Sequence, residues 1–192
     1  MFSGKTEELI RRLRRAQYAR LPVVVFKPGM DKRYSVDSVG SHSGQRMRSF
    51  TIETASQIPK LVGDAKVVGV DEAQFLDTEL VEVCEALANE GRRVIVAGLD
   101  MDYLGKPFEP IPQLLAVSEY IQKMLAICVV CGNPADRSQR IVNRKSRVLV
   151  GETDAYEARC RLHWDPTNFD PIQTTLPLGP NIADSAPGGD AA

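Results

Sequence analysis

Three short runs of β-branched residues decide what this chain can fold into. "PVVVFK" (Pro22–Lys27), "KVVGVDEAQF" (Lys66–Phe75) and "RRVIVAGLD" (Arg92–Asp100) are rich in Val and Ile, with few polar breaks. A strand with one wet face alternates apolar and polar residues. Runs this continuous suit strands covered on both faces, as in a parallel sheet layered between helices. Between the second and third runs, "DTELVEVCEALANEG" (Asp77–Gly91) reads as a helix. Leu80, Val83, Cys84 and Leu87 share one face, and Gly91 suits the C-terminal stop. The expected class is therefore α/β, with the layered domain over residues 1–125.

The rest of the chain divides at the cysteines. Residues 126–164 form a smaller cysteine-bracketed segment, and residues 165–192 are rich in Pro, Gly, Ala and Asp. That tail offers little to bury and is expected to be disordered. There is no internal repeat. A hydrophobic content of 43% over 192 residues is enough for one real core and a small appendage. A formal net charge of −1 gives no overall field towards nucleic acid or membrane. No apolar run approaches bilayer length, and the charged start is no signal peptide. Four unevenly spaced cysteines do not make a disulfide framework. The expected compartment is the cytoplasm, with no nucleic-acid or membrane partner.

The opening "MFSGKTEELIRRLRR" carries phosphate chemistry. Gly4, Lys5 and Thr6 supply the last three fixed positions of a phosphate-binding loop, G-x-x-x-x-G-K-[ST]. Glycine lets backbone N–H groups close round an anion, lysine reaches the outer phosphates, and the threonine hydroxyl holds Mg²⁺. A helix over about Lys5–Arg20 would point its positive end at that anion. Read alone, "SGKT" is more simply a helix start capped by Ser3. Arg11, Arg12, Arg14 and Arg15 read as a solvated face balanced by acids. The loop's first glycine, and the strand that normally leads into it, would fall before Met1. The expectation is a coding region that begins upstream and a sheet whose first strand is missing from this chain.

"VVGVDEAQF" adds a second motif. An apolar strand ends in two acids, and a carboxylate at a buried strand end faces metal and nucleotide in phosphate-loop enzymes. Asp71 would bind the magnesium, directly or through water, and Glu72 could take a proton from an acceptor hydroxyl.

Cys128-Val-Val-Cys131 and Cys160-Arg-Leu-His163 are two ligand pairs. Two residues between the members of each pair let both side chains reach one tetrahedral ion. Four protein ligands leave no open position, so the zinc would be structural. "GNPADRSQR" and "RVLV" between the pairs give turn and strand signals. Cys84 reads as a buried apolar residue, and His42 as a solvent-exposed one.

Together the phosphate loop, "DKRYS", "VDEAQF", "VIVAGLDMDYLGKPF", "CVVC" and "YEARCRLH" resemble the type II thymidine kinase family, from Met1 to Trp164. The resemblance implies a phosphate-loop kinase domain, a small zinc-knuckle (lasso) domain and usually a homotetramer. It implies transfer of the γ-phosphate of ATP, with Mg²⁺, to the 5′-hydroxyl of thymidine or deoxyuridine. By position, Glu72 would be the catalytic base. Ser3, Gly4, Lys5, Thr6, Asp31, Lys32, Arg33 and Asp71, with Glu72, Ala73 and Gln74, would handle ATP, Thr6 and Asp71 at the magnesium. Met1, Phe75, Leu99, Tyr103 and Phe108 would line the base pocket. Arg147, Val148, Leu149, Val150, Gly151 and Tyr156 would close over the base, the loop using backbone groups. Cys128, Cys131, Cys160 and His163 would hold the structural zinc. Two other readings stand beside this one: a phosphate-loop kinase of another nucleoside, and a non-catalytic zinc ribbon that binds nucleic acid.

Overall fold

The computed structural model describes residues 1–29, 38–40, 46–142 and 155–168. In chain order the chain forms α1 (Lys5–Tyr18), β1 (Val23–Pro28), β2 (Ser38–Gly40), β3 (Arg46–Arg48), β4 (Phe50–Ile52), α2 (Ile58–Leu61), β5 (Val67–Val70), α3 (Leu80–Asn89), β6 (Arg93–Val96), α4 (Ile111–Val117), β7 (Ala126–Ile127), β8 (Pro134–Ala135), β9 (Arg137–Arg140) and β10 (Tyr156–Arg159). The three Val-rich runs become β1, β5 and β6. They join β4 in a parallel sheet of order β4-β1-β5-β6. The second run is strand only as far as Val70. "AQF" (Ala73–Phe75) turns into a short 3-10 helix instead.

Alternate residues of these strands face different layers, which explains the absence of polar breaks. Val25 and Val67 pack with Leu9, Ile10, Leu13 and Ala16 of α1, joined by Val23, Ile95 and Ala97. Val24, Phe26, Val68, Val70, Val94 and Val96 face the other way, onto Leu80, Val83, Cys84 and Leu87 of α3 and onto Ile111 and Leu114 of α4. The face anticipated for α3 is thus the buried one, and Cys84 is part of the core at 7% exposure. Its helix ends at Asn89, and Gly91 takes the positive φ of 79° that turns the chain into β6.

Beyond α4 lies a small module of two antiparallel pairs, β7 with β8 and β9 with β10. Ala126, Cys128, Ala135 and Ala158 form its own miniature core. No helix among the described residues is long and apolar enough to cross a membrane.

Candidate active site and metal centre

The amino end of α1 and the carboxyl end of β5 meet. Gly4, not Ser3, stands at the N-cap, with φ 74° and no side-chain cap. Its left-handed backbone aims the first turn of α1 at the strand end. Thr6 Oγ1 then donates to Asp71 Oδ2 at 3.1 Å and approaches Oδ1 at 3.3 Å, joining points 65 residues apart in the chain. Asp71 is buried, and its Oδ1 also accepts from the Glu72 N–H at 3.0 Å. Lys5 Nζ lies 3.5 Å from Ser3 Oγ.

Glu72 sits in the left-handed region at φ 49°, ψ 41°, where a non-glycine residue is strained. Such strain, of order 1–3 kcal/mol, persists only where the surroundings impose it. Here they do. Gln74 Nε2 donates to Glu72 Oε2 at 2.5 Å, and Gln74 Oε1 accepts from the Leu99 N–H at 2.9 Å. The Ala73 N–H donates to the Ala97 carbonyl at 3.0 Å. One buried amide thus ties the carboxylate at the end of β5 to the loop that follows β6.

The Met1 ammonium donates to Ser138 Oγ on β9 at 3.0 Å. Burial pushes that ammonium down to about 5, Lys5 adds to the effect, and Glu72 and Asp100 oppose it.

The loop 98–108 follows β6 and carries Tyr103 and Phe108. Buried Asp102 accepts from the N–H groups of Leu104 and Lys106 at 3.0 and 2.9 Å, curling the chain so that Tyr103 stands at the bend. The Phe108 N–H returns to the Asp100 carbonyl at 3.0 Å, and the Phe108 side chain packs against the larger core. Tyr103 and Tyr156 both flank Arg140, whose Cζ lies 3.7 and 5.3 Å from the two ring centroids. Phe75 is half-buried on the short 3-10 helix. Asp31, Lys32 and Arg33, with Arg147, Val148, Leu149, Val150 and Gly151, lie outside the described residues, as do His42 and most of the tail.

The four metal-ligand candidates also converge. One donor atom from each of Cys128, Cys131, Cys160 and His163 falls within 4.8 Å of every other. Cys131 Sγ lies 3.8 Å from Cys160 Sγ, and His163 Nδ1 lies 3.3 Å from Cys160 Sγ and 3.8 Å from Cys128 Sγ. A tetrahedral zinc with Zn–S near 2.3 Å sets its sulfurs about 3.8 Å apart, so this donor set fits that ion. No disulfide competes for the thiols. Burial pushes the Cys128 thiol up, but backbone N–H groups of Cys160, Val130 and Cys131 outweigh it and bring the thiol to about 6. A thiol so poised is ready to ligate as thiolate.

Sequence reading missed Ser138, Arg140 and Gln139. Gln139 Nε2 donates to the carbonyls of Asp165 and Asn168 at 2.7 and 2.5 Å. The available signal was "RSQR" itself, a strand without one apolar residue, whose polar side chains must each find a partner when covered.

Fold and site define an α/β protein of the phosphate-loop type. A parallel sheet brings its strand-end carboxylates to a Gly-Lys-Thr helix start, and a Cys3His cluster holds an appended module. The family model for thymidine kinase matches residues 1–164, and the chain belongs to that family. It is 55% identical over 187 residues to the thymidine kinase of Rhodothermus sp. (strain ITI 518), covering 97% of this chain and 87% of that relative. It is 56% identical over 167 residues to the thymidine kinase of Bdellovibrio bacteriovorus, covering 86% of this chain and 82% of that relative.

Proposed function

We propose that this chain is a thymidine kinase, transferring the γ-phosphoryl group of ATP to the 5′-hydroxyl of thymidine or deoxyuridine. The products are the 5′-monophosphate and ADP. The observation that carries the phosphoryl-transfer reading is the 3.1 Å contact between Thr6 and Asp71, which unites the two phosphate-handling motifs.

Phosphoryl transfer asks the protein for position and charge more than for covalent chemistry. Gly4 and the first turn of α1 present backbone N–H groups to the phosphates, and Lys5 adds a positive charge. Thr6 and Asp71 would hold Mg²⁺, and Asp31, Lys32 and Arg33 are assigned beside the phosphates. When bound, the magnesium ion neutralises charge on the phosphates. Glu72 accepts the 5′-hydroxyl proton as that oxygen attacks the γ-phosphorus, and the bond to the ADP oxygen breaks. The Gln74 amide holds the Glu72 carboxylate in place. Met1, Phe75, Leu99, Tyr103, Phe108 and Tyr156 are assigned to the base pocket, with residues 147–151 closing over it. Zinc on Cys128, Cys131, Cys160 and His163 is structural, fastening the module that carries Tyr156.

The cytoplasm, where ATP and nucleosides meet, is the compartment assigned. Assembly as a homotetramer is assigned from the family resemblance.

The test is Glu72→Gln. It should lower kcat by about 10²–10⁴-fold, because the amide cannot accept the proton. Calorimetric thymidine affinity should stay near wild type. A variant that turns over within about twofold of wild type would remove Glu72 from the base role.

A further inference from the structure

Arg140 is 1% exposed, on a strand with no apolar residue. Burying a guanidinium is costly unless its charge and donors are met. Two tyrosines supply part of that compensation. The guanidinium lies over the Tyr103 ring at 3.7 Å and beside the Tyr156 ring at 5.3 Å. Its Nη2 donates to the Tyr156 hydroxyl at 2.7 Å. Tyr156 is also the cross-strand partner of Arg140 in the β9–β10 ladder, so their side chains leave the hairpin on one face. Tyr103 belongs to the loop after β6, in the other domain. One planar cation thus lies between an aromatic residue of the sheet domain and one of the zinc-fastened module.

Ser138, two residues earlier on β9, shares the Arg140 face and lies about 7 Å back along the strand. Its hydroxyl accepts a hydrogen bond from the Met1 nitrogen at 3.0 Å.

We propose that Arg140 is a positioning residue for the nucleoside base: it fixes Tyr103 and Tyr156 at a set separation across the domain junction and thereby sets nucleoside affinity. This rests on the thymidine kinase reading, through the assignment of both tyrosines to the base pocket. Arginine is specifically required. Its flat guanidinium stacks on one ring while hydrogen-bonding the hydroxyl of the other, which the tetrahedral ammonium of lysine cannot do in the same geometry.

The experiment compares steady-state kinetics for thymidine and for ATP, with thymidine calorimetry, in the full chain and in R140M, R140K, Y156F and R140M/Y156F. R140M should raise KM and Kd for thymidine by about 10-fold or more, with KM for ATP changed less than about twofold. R140K should fall between R140M and wild type, and Y156F should cost roughly threefold. The double variant should be no worse than R140M, because both changes break one contact. An R140M enzyme with unchanged thymidine KM, or with both substrates weakened equally, overturns the proposal. So does an additive double variant. If R140M does not fold, R140K and Y156F decide: thymidine KM unmoved in both overturns the proposal, and a selective rise in both supports it. An active wild type with unmoved variants sinks this role alone. A folded wild type that neither binds nor phosphorylates thymidine sinks the kinase reading and this role with it.

Discussion

Glu72 shows how much of a site can rest on one side chain beside it. Its carboxylate occupies a strained backbone position, and Gln74 is the clasp that keeps it there. Gln74 in turn depends on Gly98. A Cβ at Gly98 would lie 2.8 Å from Ile111 Cδ1 and 3.2 Å from Gln74 Oε1, so a side chain there pushes Ile111 and crowds the amide. Gly98→Ala should therefore lower kcat by about 10–100-fold, as a misplaced reacting group does. Cooperative melting should be kept, because the change lies at the rim of the core. Kinetics with a parallel thermal melt check this, and full turnover in the variant would show that Gln74 does not hold the base. The acid pair at the strand end was readable from "VVGVDEAQF", since polar residues ending an apolar run must face something. The clasp was not, because hydrogen bonds from Gln74 to Glu72 and Leu99 depend on the loop after β6 coming back alongside.

The pairing of α1 with the sheet turns on Gly69. It lies on the same face of β5 as Val67, and a Cβ there would come within 2.9 Å of Leu13 Cδ1. Leu13 is fully buried and has little room to swing. Replacing glycine by alanine in a strand gains about 0.5–1 kcal/mol of backbone entropy. Overpacking costs about 1–3 kcal/mol, so the loss should win. Gly69→Ala should lower Tm by roughly 2–6 °C in a calorimetric scan; a higher Tm would mean that Leu13 repacks freely. At this scale the sequence was most informative. β1, β5 and β6 arise within the continuous apolar runs, α3 on its expected apolar face and α1 where the Gly-Lys-Thr motif put a helix, because each buries its apolar side chains against a neighbour. β9 was indistinct for the opposite reason: "RSQR" is satisfied by rings, carbonyls and a hydroxyl that lie elsewhere in the chain.

Across the whole molecule, the sheet and the small module of β7–β10 meet through polar and aromatic contacts, and the four metal-ligand candidates lie within that module. β10 ends at Arg159, immediately before Cys160, so the strand that carries Tyr156 ends at a metal ligand. Its partner strand is reached from Cys131 through β8. A miniature core of four small buried residues supplies little hydrophobic stabilisation, and modules of that kind depend on their ion. Cys160→Ser should release zinc, detected by elemental analysis, and raise KM for thymidine by about 10-fold with less effect on KM for ATP. Unchanged kinetics in zinc-free protein would separate the metal from the nucleoside site. The ligand spacing was legible because both pairs are local in sequence. The junction was not, since nothing in "DMDYLGKPF" announces that Tyr103 will meet a residue of the smaller domain.

Trp164 lies at that junction. Its indole N–H donates to the Tyr103 carbonyl at 3.1 Å, and Arg137 Cζ stands 5.0 Å from its ring. It is also the sole tryptophan of the chain. Excited selectively in the ultraviolet, this one fluorophore gives an unlabelled optical signal from the seam itself, with no background from anywhere else in the protein.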